Sequence, residues 1–192
     1  AGSEPDMGAF ESPLGIAEYR FVVDSVYFVH GDTALLQIRN ISVSPLDSIE
    51  LKISGFQGYL DFVDIVMDSS TSFGANGWVA SYNNTDTLLI NASAGSAPIS
   101  SSGILFKLRL AIPSTLGSQF LPITITDFTG NADYTALSVD SGGVQVVWGP
   151  TVGFTSSTTT GDYPLPVIFT DTSVNGTFPI DSWTWSFGND ST

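Results

Sequence analysis

The chain holds one histidine, His30, just ahead of Gly31-Asp32 in a turn that leads into a strand pattern, and it has no cysteine. A lone turn histidine is ordinarily solvated rather than catalytic. With no second histidine and no thiolate, a transition-metal site has no ligand set to draw on. No Gly-x-Ser-x-Gly elbow, compelling Ser-His-Asp order or glycine-rich phosphate loop after a strand is present. Paired carboxylates, as in glycosidases, are the remaining route to catalysis. Asp61, Asp64 and Asp68 form the densest group. On a regular strand Asp61 and Asp64 point to opposite faces while Asp64 and Asp68 share one, so outward, solvated acids are expected and no enzymatic activity is. In "DFTGNAD", Asp127, Asn131 and Asp133 offer hard oxygens in one loop. That chemistry suits Ca²⁺, although the spacing is not that of an EF-hand; no other cofactor is implied. Trp183 and Trp185 could stack on a sugar ring or fill a core.

Acids outnumber bases 19 to 5, for a net charge of −14. No basic patch is available to displace counterions from phosphates, which excludes nucleic acid, and the same charge disfavours an anionic membrane surface. It suits a cation-rich exterior, or serves solubility alone. Asn-x-Ser/Thr occurs at Asn40, Asn83, Asn91, Asn175 and Asn189, which tilts the location toward a secreted or cell-surface glycoprotein. No run approaches the ~18 apolar residues of a membrane span. The first residue is Ala1, so either a leader has been removed or the chain is a piece of something longer.

These residues must be carried by strands. Ala34, Leu36 and Ile38 alternate with Thr33, Gln37 and Arg39; Ile49, Leu51 and Ile53 alternate with Glu50 and Lys52; Ile104, Phe106, Leu108 and Leu110 alternate with Leu105, Lys107 and Arg109. Period two places one face inward. Further strands are expected over 19–29, 60–67, 78–82, 87–92, 121–126 and 144–148, with "NNTD" turning a hairpin after Tyr82. No window shows a helical period. About nine short strands imply a two-sheet sandwich. "WGPTVGF" at 148–154 reads as a linker, because Gly149-Pro150 is a strong break. Beyond it, Leu165, Val167 and Phe169 share one strand face, and Trp183, Trp185 and Phe187 share the next. A lone hairpin is marginal in water, so the three rings need a cover; their full burial would contribute on the order of 10 kcal/mol.

Three stretches resemble known families. "PLPVIFTDTSVNGTFPIDSWTWSFGNDST" resembles the first half of a PKD (polycystic kidney disease) domain, in Phe169-Thr170-Asp171-Thr172-Ser173 and Trp183-Thr184-Trp185-Ser186-Phe187-Gly188. Gly188-Asn189-Asp190 stands where that family usually has Gly-Asp-Gly. "VYFVHGDTALLQIRNIS", "WVASYNNTDTLLINASAG" and "SGILFKLRLAIPSTLGSQFLPITITD" make residues 18–148 similar to cohesin-like domains. "AGSEPDMGAFES" resembles the segment that closes many β-helix domains. The resemblances imply an N-terminal extended segment (1–17), a cohesin-like jelly-roll β-sandwich (18–148) and a partial immunoglobulin-like PKD β-sandwich (149–192). They suggest part of a modular archaeal or bacterial surface protein. The function so implied is a non-catalytic extracellular structural or adhesive module. It would assemble with neighbouring copies of itself, or with other surface-protein modules, by strand complementation through Phe169, Trp183, Trp185 and Phe187, forming a filament or surface layer. The alternatives are a cohesin that binds a dockerin, with calcium carried chiefly by the dockerin, and an accessory domain of a polysaccharide-active enzyme. A proteolytic remnant or badly drawn boundary would also explain a half-domain.

Overall fold

The computed structural model describes residues 17–41, 45–130 and 135–188. In chain order the strands are β1 (Ala17–Val23), β2 (Ser25–Val29), β3 (Thr33–Asn40), β4 (Ser48–Ser54) and β5 (Asp61–Val66). After one helical turn, α1 (Ser72–Ala75), come β6 (Val79–Asn84), β7 (Leu88–Ser93), β8 (Gly103–Ala111), β9 (Gln119–Gly130), β10 (Thr135–Asp140) and β11 (Gly142–Val147). Two short strands follow, β12 (Phe154–Ser156) and β13 (Phe169–Asp171). A five-stranded sheet of order β10-β1-β3-β8-β5 packs on a six-stranded sheet of order β2-β11-β9-β4-β7-β6. The expected all-β jelly-roll sandwich is the observed fold.

The alternation seen in the sequence is the cause. Leu36 and Ile38 of β3, Leu51 and Ile53 of β4, and Phe106 and Leu108 of β8 are fully buried between the sheets. Their neighbours on β3 and β4 are exposed or half-buried, because successive side chains of a strand take opposite faces. On β8 the expected outward Leu105 is instead fully buried, because a bulge against β3 sets Phe106 opposite Ile38 and Ile104 opposite Arg39 and skips it.

The stretch 19–29 is two strands rather than the single one expected. β1 pairs with β3 and β10, whereas β2 pairs with β11 in the other sheet. The chain changes sheets at Asp24, and its parallel partner does so at Ser141, between β10 and β11. The crossing is close: a Cβ on Gly142 would collide with the carbonyl oxygen of Val23, so only glycine fits there.

Helix α1 was not expected. It is four residues long, too short to print a period, and is capped by Thr71 Oγ1 accepting from the Gly74 amide at 3.1 Å.

Strand β12 lies where the sequence suggested a linker. It pairs antiparallel with β13, Phe154 opposite Asp171 and Ser156 opposite Phe169. The strand expected through Leu165 and Val167 shrinks to Phe169–Asp171, because Pro164 and Pro166 have no amide to give a ladder. Residues 181–187, expected as the partner strand, belong to no sheet.

Candidate functional site

Residue-level expectations divide between the sandwich faces and the C-terminal segment. On β5 the predicted parity fails. A bulge at Val63 lets Asp61 stand opposite Ala111, Phe62 opposite Leu110 and Asp64 opposite Arg109. Asp61 and Asp64 therefore face outward together, since an extra residue shifts everything after it by one. Neither resembles a catalytic pair. Asp64 binds Arg109 at 2.8 Å, and Asp68 binds Lys107 at 3.2 Å. Asp68 is held below the usual carboxylate range by the Ser70 hydroxyl and amide, and then by Lys107.

The outer face of the five-stranded sheet is a mixed-charge surface. Arg20 pairs with Asp140 at 2.7 Å and Arg39 lies 3.9 Å from Asp24. Leu35 of β3 and Val63 of β5 are exposed among these charges. Cross-strand register sets Leu35, Arg109 and Asp64 in one row, and Gln37, Lys107 and Val66 in the next.

On the opposite sheet Asn83 and Asn91 are exposed on neighbouring strands, near Val79 and Ser81. Asn175 is exposed and its Oδ1 accepts from the Ile180 amide at 3.0 Å. Asn40 is different. It is wholly buried at the end of β3, sharing the inward parity of Ala34, Leu36 and Ile38, so the folded chain has no room for a glycan there. Asn189 lies outside the described residues.

The calcium expectation meets a competing cation. Asp127 accepts from Lys52 Nζ at 2.8 Å, and its other oxygen accepts from the Phe128 amide at 3.0 Å. The Lys52 ammonium is the main cause that holds this carboxyl below its ordinary value. Asn131 and Asp133 lie outside the described residues. Among those that are described, no three His, Cys, Asp or Glu side chains cluster as metal ligands would.

His30 is a packing residue. Its ring lies 4.2 Å from that of Trp148, and its Nδ1 is 3.0 Å from the Ser114 carbonyl oxygen.

The aromatic residues of the C-terminal segment do come together. Trp185 meets Phe154 edge-on at 5.8 Å and Phe169 at 6.0 Å, while Phe187 lies 5.4 Å from Phe169. Trp183 instead donates its indole N–H to Asp171 Oδ2 at 3.0 Å. All four expected rings line one open groove of about 560 Å³. Phe154 was missed, having been read as the end of a linker. Asp171 was missed as well. Its carboxyl is held below the usual range by the Ser173 hydroxyl at 2.6 Å, then by the Ser173 amide, and also by Trp183.

A group whose folded pKa is depressed stabilises the fold above its unfolded pKa, and that contribution is lost as pH falls through the folded value. The hold of Asp171 on Trp183 should therefore be complete above pH ~4 and released only below the ordinary aspartate range. The fluorescence of Trp183 against pH, in a chain whose other tryptophans are replaced by Phe, measures it. Asp171→Asn should abolish that acid transition; a midpoint at or above ~4 would contradict the arrangement.

No protein-family model matches the chain, and no curated protein does. Solved structures match in fold, cohesins among them. A non-cellulosomal cohesin from the hyperthermophilic archaeon Archaeoglobus fulgidus aligns with 18% identity over 68% of this chain and 92% of its own, with TM-score 0.56. The seventh type I cohesin of a scaffoldin from Pseudobacteroides cellulosolvens aligns with 14% identity, over 68% and 92%, also at 0.56. The sixth cohesin of Acetivibrio cellulolyticus scaffoldin B, solved in complex with a dockerin, has 17% identity, over 67% and 99%, at 0.56. At these identities the likeness is one of fold.

Proposed function

We propose that this chain is a non-catalytic recognition module of an extracellular protein, and that it binds a dockerin-type partner through the outer face of the β10-β1-β3-β8-β5 sheet. The observation that carries this reading is the shared fold with cohesins, several of them solved with a dockerin bound. Two features of this chain favour that sheet over the other. Arg20, Arg39, Lys107 and Arg109 are all on it, which leaves only Lys52 for the rest of the molecule. The exposed sequons Asn83 and Asn91 are on the opposite sheet, so a glycan there leaves this face clear. Mixed charges around exposed Leu35 and Val63 suit a partner that buries an apolar centre and reads charge at the rim.

The test is surface binding of the full chain to a panel of calcium-loaded dockerins. At least one should bind, and the binding should vanish when calcium is chelated from the dockerin. Arg109→Glu should weaken it at least about tenfold, while Lys52→Glu on the other sheet should leave it unchanged. No binding across the panel, or equal loss in both variants, would overturn the reading.

A second reading, assembly with neighbouring subunits by strand complementation, has its own observation. Trp183 and Phe187 remain 54% and 53% exposed beside the half-buried Trp185. Covering what is left of these rings would contribute on the order of 5 kcal/mol, half of full burial. The chain's resemblance to a PKD half-domain belongs to this reading. Its partner is a copy of this chain or another surface module.

A further inference from the structure

The fold treats the five Asn-x-Ser/Thr sequons differently. Asn40 is wholly buried. At Asn175 the sequon's own hydroxyl, Thr177 Oγ1, already accepts from the Trp148 amide at 2.8 Å, and Asn175 Oδ1 accepts from the Ile180 amide at 3.0 Å. Among the described residues that leaves Asn83 and Asn91, both exposed and neither with its side chain in a hydrogen bond.

The surroundings of these two are unlike. Register on the outer face of the six-stranded sheet sets Ser81, Asn91, Glu50 and Thr129 in one row, and Val79, Ser93 and Ser48 in the next. Together they line a shallow hollow of about 410 Å³ around Asn91. Among the described residues, none of its polar side chains hydrogen-bonds elsewhere in the chain. Glu50 has no ion pair either, since Lys52 in the neighbouring row is bound to Asp127 at 2.8 Å. Directly opposed side chains stand about 5 Å apart, so Ser81 and Glu50 can both reach a ring attached to Asn91. Val79, 70% exposed, offers an apolar rest for the C–H face of a sugar at one end. Asn83 stands opposite the half-buried Leu89 and outside the hollow.

We propose that Asn91 carries an N-linked saccharide whose first sugars lie in this hollow, whereas one on Asn83 projects into water. The hollow selects a neutral first sugar, such as an N-acetylhexosamine. Its hydroxyl and amide groups donate to Glu50, and the serine and threonine hydroxyls meet its oxygens. A uronic acid would meet Glu50 with like charge. Attachment needs a cellular transferase and a sugar carried on a lipid diphosphate. The C1–O bond to the diphosphate breaks, a bond from C1 to Asn91 Nδ2 forms, and one Nδ2 proton is lost. This rests on the extracellular part of the reading above and not on the dockerin face, which belongs to the other sheet.

The experiment uses the full chain, secreted from a host whose N-glycans begin with N-acetylglucosamine. Peptide N-glycanase in heavy-oxygen water turns each released site into a labelled aspartate, read by mass spectrometry. After denaturation the label should appear at Asn83 and Asn91 and be absent from Asn40. From the folded chain, Asn83 should be released at least about tenfold faster than Asn91, the factor that one or two net hydrogen bonds carry. Glu50→Ala combined with Ser81→Ala should bring the two rates together without changing occupancy. A bare Asn91 beside an occupied Asn83, or both sites bare in the secreted chain, would overturn the proposal. Equal release rates in the wild type would overturn the seating of the sugars in the hollow. Asn91→Gln should leave dockerin binding unchanged, so failure of the glycan site and failure of the recognition reading are read separately.

Discussion

Phe106→Ala should destabilise the sandwich by about 3–5 kcal/mol, read as a fall in the urea midpoint with an unchanged slope. Phe106 is fully buried at the centre of β8. Its ring lies 5.2 Å from Phe73, which stacks on Trp78 at 4.8 Å with ring planes 9° apart. The three rings tie the five-stranded sheet to α1 and to the entry of β6, and Trp78 is anchored by its indole N–H to the Ala97 carbonyl at 3.0 Å. Removing the Phe106 ring loses its transfer free energy and leaves a cavity beside Phe73 that the stacked Phe73–Trp78 pair does not close. Against a total stability of about 5–15 kcal/mol, that is a large share. Phe106→Leu keeps most of the volume and should cost about 1–1.5 kcal/mol. A loss below about 1 kcal/mol for the alanine variant would mean that the cluster relaxes around the gap and does not hold the two sheets together.

Phe106 was legible from the sequence because it alternates with lysine and arginine on a strand with one face buried. The same logic exposes Asn40. The sequon motif ignores burial, but parity with Ala34, Leu36 and Ile38 already pointed it inward. What alternation could not supply was non-local. The bulge at Val63 is set by register against β8, and it brings Asp61 and Asp64 to one face instead of two. The split at Asp24 depends on β10 and β11 changing sheets beside it. In the candidate groove the rings could be named in advance because large aromatics on a polar chain need cover. Phe154 could not, since a lone aromatic in a Gly- and Thr-rich stretch carries no period. Nor could the mixed-charge face of the five-stranded sheet: pairing of Arg109 with Asp64 is a cross-strand contact between residues 45 apart in sequence.

Gly176→Ala should free the C-terminal segment from the sandwich without unfolding either. The Thr177 amide donates to the Trp148 carbonyl at 2.9 Å, and the Trp148 amide donates back to Thr177 Oγ1 at 2.8 Å. Phe178 then packs near Tyr27, ring centres 6.5 Å apart, and Trp148 rests on His30. Gly176 permits this approach, since a methyl there would run into the Trp148 carbonyl oxygen. Both hydrogen bonds must then stretch or break. At about 1 kcal/mol each, their loss raises the open population roughly 30-fold. Proteolysis within 149–176 should quicken by that factor, because cleavage follows the open population when reclosing is fast. The sandwich midpoint should not move, since Gly176 is outside its core. Thr177→Val, which deletes the bond its hydroxyl accepts from the Trp148 amide and the longer one it donates to Ser118 Oγ at 3.4 Å, should give at least about fivefold. Wild-type cleavage in Gly176→Ala would show that these contacts do not hold the segment. If they do hold it, the aromatic groove stands at a fixed place beside the six-stranded sheet. A strand bound in the groove and a partner on the five-stranded sheet would then be presented in a fixed mutual orientation, and Gly176→Ala would loosen that orientation while leaving each binding event intact.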